Sequence, residues 1–331
     1  MRRREFISFL GGGAAAAWPR VVDAQQPARL PQVAILRGEV AGDPEGLRNS
    51  AALLQGLQAL GWAQGRNLRI EQRWAGGSVD AMKALAKELV ALEPNVIVVI
   101  STPITRAVMQ ETHTIPIIFV QLFDPVDSGL VKSLVAPGGN VTGFTSYEPA
   151  MATKWLELLK GVAPQVGRIT MIYNPQTAPF GRSFLRSIEA AAPAFAMRPI
   201  AIPIQDAGTI EKAIEASARE TNPGLLVLPD VTTTVHERLI VELAAQHRLP
   251  GIYPWRHFVT LGGLMSYAPD LPNLWRRAAS YVDRVLKGEK PADLPVQQPT
   301  KFELVINLTA AKAIGLTIPA SILSLADDLI D

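Results

Sequence analysis

Two stretches of the 331-residue chain put hydroxyls and a carboxylate where a strand gives way to a helix. In Asn95–Arg106 (NVIVVISTPITR), the apolar run Val96–Ile100 stops at Ser101-Thr102-Pro103. Thr at N-cap with Pro at the first helical position is a helix start. The free N–H groups of such a start, with the Ser101 and Thr102 hydroxyls, suit a carboxylate or another anion. The plainer role for Thr102 is capping its own helix, worth about 1 kcal/mol. In Pro223–Thr232 (PGLLVLPDVT) the strand runs into Asp230 and Thr232. Asp230, and Asp124 in the other half of the chain, could each hold an ammonium group through a charge-assisted hydrogen bond. Either could instead make an Asx-turn or cap; Asp124, beside Pro125, suits the turn, and Asp230 suits the ligand.

Four further side chains fall at strand ends. Arg37 follows the first strand, where a charge needs a partner, either a ligand anion or an acid from the other lobe. Asn174 holds the equivalent place in the second half, before Pro175, where a turn is the simple alternative. Tyr147 and Tyr267 lie beside inter-lobe connections and offer an aromatic face with a polar tip; a core tyrosine is the competing reading. Among the tryptophans, Trp255 is a further cleft candidate by its place near a strand end.

Enzyme signatures are missing. No G-x-G-x-x-G follows the first strand, and neither a P-loop nor a G-x-S-x-G elbow occurs. The chain has no Cys, which excludes thiol chemistry and thiolate metal sites, and His113, His236, His247 and His257 have no metal-ligand spacing. No catalytic residue, metal or cofactor is therefore expected.

The elements that must carry these residues alternate. Strand Val33–Leu36, helix Leu47–Leu60, strand Leu68–Trp74, helix Asp80–Leu92, strand 96–100, a helix from Pro103 and strand Ile117–Val120 succeed one another. That order predicts a parallel doubly wound sheet. A short helix is expected between the turn residues 124–129 and 137–140, followed by strand Val141–Thr145. The pattern then restarts with helix 149–161, strand Ile169–Tyr173, helix 180–192, strand 198–204, helix 207–220, strand Leu225–Leu228, helix 233–247 and strand Ile252–Tyr253. Strand 262–268, a helix to Lys287, a Pro-rich connector 291–299, strand Phe302–Leu308 and a C-terminal helix complete it. Short correspondences, Glu93-Pro94-Asn95 with Asn222-Pro223-Gly224 and Ile115–Phe119 with Leu249–Tyr253, suggest a duplicated fold.

The expected architecture is thus α/β, two Rossmann-like lobes with parallel sheets joined by three crossovers near Gly143, Tyr267 and Pro295. Lobe 1 comprises 31–143 plus 269–291, and lobe 2 comprises 144–268 plus 292–331. Ahead of them, residues 1–24 have the form of a twin-arginine-like leader: Arg3-Arg4-Glu5-Phe6-Ile7, an apolar segment to Trp18, and a small-residue cleavage site at Val22-Asp23-Ala24. The apolar segment is shorter than the roughly 20 residues that span a bilayer. The whole chain has 32 Lys+Arg and 30 Asp+Glu; the leader holds four Arg and two acids, leaving 28 of each. A balanced surface argues against nucleic acid as a partner.

The runs Gly65-Arg66-Asn67-Leu68 with Arg73-Trp74-Ala75, Asp124-Pro125-Val126 and Asn140-Val141-Thr142-Gly143 resemble ABC transporter substrate-binding proteins of the tryptophan/tyrosine-binding type. So do Gly263-Leu264-Met265-Ser266-Tyr267 and Gln298–Asn307 (QPTKFELVIN). The resemblance covers nearly all of the chain after the leader. It implies the type I periplasmic-binding arrangement and delivery of a small solute to an inner-membrane ABC permease with its ATPase. Some members carry a lipid-anchoring Cys, which this chain lacks, so a free monomer in the periplasm is expected, with the leader cut near Ala24. Arg2 stands where Ser or Thr is usual before the twin arginines, so the route could be Tat or Sec. The expected guest bears a carboxylate, with aromatic amino acids among the candidates. Two alternatives stay open: an exported subunit that presents its ligand to a sensor, and an exported α/β enzyme using Asp124 or Asp230.

Overall fold

The structure, a computed structural model, describes residues 30–147 and 151–331. The leader-like segment 1–24 lies outside the described residues. The chain begins with β1 (Gln32–Arg37), α1 (Pro44–Ala59), β2 (Arg69–Trp74), α2 (Val79–Ala91), β3 (Val96–Ile100), α3 (Thr102–Glu111), β4 (Ile117–Phe123) and β5 (Val141–Tyr147). It continues through α4 (Met151–Val162), β6 (Arg168–Tyr173), α5 (Gly181–Ala191), β7 (Arg198–Pro203), α6 (Ala207–Ala218), β8 (Pro223–Val227), α7 (Val231–Val235), α8 (Glu237–Gln246), β9 (Gly251–Tyr253), α9 (Arg256–Thr260) and β10 (Met265–Pro269). Helix α10 (Leu271–Leu286), β11 (Phe302–Asn307), α11 (Leu308–Ala313), α12 (Ala320–Leu323) and β12 (Asp328–Ile330) close it.

Two sheets result. The first has the order β2-β1-β3-β4-β5 with every pair parallel. Strands β1, β3 and β4 are buried at every position, as the continuous apolar runs require when helices cover both faces. Gly143 of β5, at φ +153°, faces Phe119 of β4 so closely that a Cβ there would stand 2.0 Å from the Phe119 carbonyl oxygen. Only glycine fits that approach. The second sheet has the order β12-β11-β10-β9-β8-β6-β7. Its pairs are parallel except one, β11 running antiparallel to β10. After β10 the chain packs α10 on the first sheet and comes back through 291–299, so it re-enters the second sheet from the opposite end.

Each sheet has its own core, and the two cores trade residues. Trp275, Ala278, Ala279 and Val282 of α10 join the core of the first sheet, together with Val231 from α7. Phe123 and Tyr147, at the ends of β4 and β5, join the core of the second. The connector is tied to the first sheet by the Thr142 hydroxyl, which donates to the Leu294 carbonyl at 2.6 Å, and by the Gln297 N–H on the Gly143 carbonyl at 2.9 Å.

Several local expectations need correction. Residues 124–140 form turns rather than a short helix, since Pro125, Gly129, Pro137 and two further glycines break any helical run. The expected helix 233–247 is two, α7 and α8, meeting at His236; the β-branched run Thr232-Thr233-Thr234 favours a break. The N-cap of α3 is Ser101, with Thr102 already inside the helix, and neither hydroxyl makes a capping bond. Helix α9 and the edge strand β12 have no periodic signal in the sequence.

Candidate functional site

The carboxyl ends of both sheets open onto one cavity, the place where parallel sheets bind ligands. The first sheet and its helices line it with Glu39, Asp43, Glu45, Asn49, Ile100, Ser101, Gln121, Phe123 and Leu271, and the second with Pro229, Asp230, Val231, Thr234, Trp255 and His257. Its volume is about 40 Å³, room for a few waters at about 10–15 Å³ each.

Its floor is strained backbone. Ser101 has φ 69° and ψ 157°, a region essentially reserved for glycine. Gln121 has φ 60° at a register shift in β4, and Trp275 Nε1 donates to its Oε1 at 2.7 Å. The strain presents Ser101 Oγ, buried and without a partner, beside the first turn of α3, whose leading N–H groups have no intrahelical acceptor. A neutral, anion-accepting corner results.

The opposite character comes from α1 and the loop before it. Asp43 caps α1 by accepting the Gly46 N–H at 2.6 Å. Its carboxyl is raised above the usual range by burial, opposed by the Gly46 bond, and raised further by Glu39 and Glu237. Glu39 binds Arg37 through Oε1 at 2.8 Å, while its Oε2 is buried and unpartnered, as is Oδ1 of Asn49. Asp230 is more fully committed. It accepts from the Thr233 N–H at 3.0 Å, the Thr177 hydroxyl at 3.1 Å and the Asn174 N–H at 3.2 Å. Burial nevertheless pushes its carboxyl up to about 6.

Aromatic rings supply the apolar wall. Phe123 stacks on Phe180 at 4.3 Å between ring centroids and approaches Trp255 at 6.4 Å. Trp255 also packs against Tyr147 at 5.0 Å.

Of the nine residues singled out from sequence, Ser101, Asp230 and Trp255 line this cavity. Arg37 lies behind it, fully buried, its guanidinium between the rings of Trp74 and Trp275 at 5.1 and 4.6 Å and its charge met by Glu39. Thr102 is buried beside Ser101 but does not reach the cavity. Asn174 supports Asp230 and holds the Thr232 hydroxyl at 2.9 Å from its Nδ2. Tyr147 is buried and spends its hydroxyl on the Pro254 carbonyl. Asp124 faces a separate recess with Arg106, Arg182 and Arg186, and its carboxylate accepts the Asp127 N–H at 3.2 Å, the turn role. Tyr267 stacks on Phe302 at 5.6 Å in a third recess beside the connector. Glu39, Asp43, Asn49, Gln121 and Phe123 were not anticipated. Glu39 and Asp43, in the loop after β1, were signalled only by their place at the end of the first strand.

The profile of the family described as "ABC transporter substrate binding protein" matches residues 42–330. A tyrosine-binding protein of Clostridioides difficile is 28% identical over 264 residues, covering 80% of this chain and 75% of that protein. A conserved domain protein from Vibrio cholerae superposes with TM-score 0.85 at 30% identity, over 91% of this chain and 100% of the other. An ABC domain from Streptococcus pneumonia, in complex with L-Trp, gives TM-score 0.85 at 26% identity, again over 91% and 100%.

Proposed function

The chain belongs to the ABC transporter substrate-binding protein family, and from that premise we propose that it binds an aromatic amino acid between its lobes and delivers it to an inner-membrane ABC permease. The family is one of solute-binding proteins with the type I periplasmic-binding arrangement, not of enzymes. In this reading the chain works in the periplasm, after removal of its leader, and no bond is made or broken.

The observation that carries the proposal is Ser101. A non-glycine residue held in a glycine-only conformation costs about 1–3 kcal/mol and persists where the conformation has a use. Here the use is to aim a buried, unpartnered hydroxyl into the cavity beside the start of α3. The guest's carboxylate would sit on that corner, its ring against Phe123 and Trp255, and its ammonium towards the acids opposite. Two relatives favour an aromatic side chain, one being named a tyrosine-binding protein and the other holding L-Trp. Both lobes contribute to the cavity, so a guest stabilises the closed form by its contacts with both. The permease would read that form and return the guest by favouring the open one.

Isothermal titration of the leaderless chain with L-Trp, L-Tyr, L-Ala and L-Leu tests this. Binding of L-Trp or L-Tyr at least tenfold tighter than of either aliphatic amino acid is expected. Equal affinity for all four, or binding of none, contradicts it.

A further inference from the structure

We infer that the cavity selects its guest by the cation, and that arylalkylamines lacking any carboxylate are therefore guests as well. The inference rests on the reading above that the cavity takes a ring-bearing small molecule.

The cavity's charge is one-sided. Glu39, Asp43, Glu45 and Asp230 line it, and among the described residues no Lys or Arg does. Arg37 compensates Glu39 from behind through a single oxygen, and Arg48 stands 3.4 Å from Glu45 on the exposed side of α1. No three of the acidic groups converge as metal ligands would, among the described residues. An organic cation suits the arrangement better.

Two orphaned acceptors locate the cation. Glu39 and Asn49 are 8% and 2% exposed, and their Oε2 and Oδ1 atoms are buried without a hydrogen-bond partner. Both residues line the cavity. A buried acceptor is costly to leave unpaired, most of all a charged one. A primary ammonium carries three donors and no acceptor, so it can satisfy both atoms and turn its third N–H towards Asp43. Burial first, and then the nearby Glu39 and Glu237, disfavours the Asp43 carboxylate, and such a cation would offset both. Asp230 is a poorer seat, because three donors of its own lobe already hold its carboxylate.

The corner at Ser101 offers nothing comparable to an anion. It has one hydroxyl and the N–H groups of a helix start, with no cationic side chain. A guest carboxylate would enter among four others with only neutral donors to receive it. Removing that carboxylate forfeits the Ser101 contacts and also removes the repulsion, so the amine keeps its affinity. Removing the ammonium leaves Glu39 and Asn49 unpaired and adds repulsion.

The test is titration calorimetry of the unmodified leaderless chain with L-Trp, tryptamine and indole-3-propionate. The expected result is tryptamine within tenfold of L-Trp and indole-3-propionate at least tenfold weaker than L-Trp. Tryptamine more than tenfold weaker than L-Trp, or indole-3-propionate within tenfold of it, overturns the inference while leaving the amino-acid reading standing. Failure of all three to bind overturns the reading itself, and the inference with it. Asn49→Ala supplies an uncharged check: it should weaken L-Trp and tryptamine by similar factors, and an unchanged affinity for both would contradict the proposed seat.

Discussion

Gly38 and Val231 meet across the cleft so closely that a Cβ added to Gly38 would stand 2.8 Å from Val231 Cγ2. Gly38 follows β1 of the first lobe, and Val231 opens α7 of the second yet belongs to the first lobe's core. In the proposed closure this contact belongs to the shut form, and overpacking it by one methyl costs about 1–3 kcal/mol. Gly38→Ala should put that cost on the closed form alone. Affinity for the guest is expected to drop about tenfold or more, with the guest-free melting temperature nearly unchanged. Calorimetry and thermal melts check both halves; unaltered affinity would mean that closure does not bring these residues together.

Ser101→Gly separates strain from function. Glycine adopts φ 69°, ψ 157° without penalty. The guest-free protein should gain about 1 kcal/mol or more in urea unfolding, within the 1–3 kcal/mol that such a conformation costs. Binding should weaken, because Oγ is gone. Stability and affinity moving in opposite directions is the expected signature; a loss of both would make Ser101 a structural residue.

Arg37 and Glu39 form a buried pair whose partners are unequal in role. Arg37→Met leaves Glu39 buried without its countercharge, and breaking such a pair costs about 3–5 kcal/mol. Glu39→Gln placed in that background should recover part of the loss. A double-mutant cycle by urea denaturation checks this, and additive single effects would contradict it.

Asp230 makes stability depend on pH with an unusual sign. Burial lifts its folded carboxyl to about 6 from 3.8, despite the hydrogen bonds that favour the anion. Between those values the folded chain holds a proton that the unfolded chain has lost. This group's contribution is therefore present below about pH 4 and lost as pH rises through about 6. Relative to Asp230→Asn, the parent should lose stability between pH 4.5 and pH 7. A difference that stays constant across that interval would contradict the assignment.

The fold was legible because its signals are redundant. Apolar runs such as Val96–Ile100 mark strands buried on both faces, and the expected helices 207–220 and up to Lys287 are found as α6 and α10, whereas α1 begins at Pro44, ahead of the expected Leu47. What escaped was short or relational. Strand β12 and helix α9 take their place from neighbours rather than from periodicity, and the reversed β11 follows from where the connector re-enters. The site was harder to see. Sequence located the strand ends but could not tell which polar residue there is spent on the fold. Tyr147 gives its hydroxyl to Pro254, Asp124 holds its own turn, and Arg37 is neutralised two residues on by Glu39. Asn49 gave no signal, and Glu39 only its place after β1, because an orphaned acceptor becomes visible only once every other donor has been placed.

In the proposed function both lobes hold one guest in the cavity lined by Ser101, Glu39, Phe123 and Trp255. A crystal structure of the leaderless chain grown with L-Trp tests it most directly. The indole should lie in van der Waals contact with Phe123 and Trp255, a carboxylate oxygen within hydrogen-bond distance of Ser101 Oγ, and the ammonium on Glu39 and Asn49. L-Trp found instead in the recess beside Asp124, or in the one beside Tyr267, with this cavity filled by side chains, would contradict it.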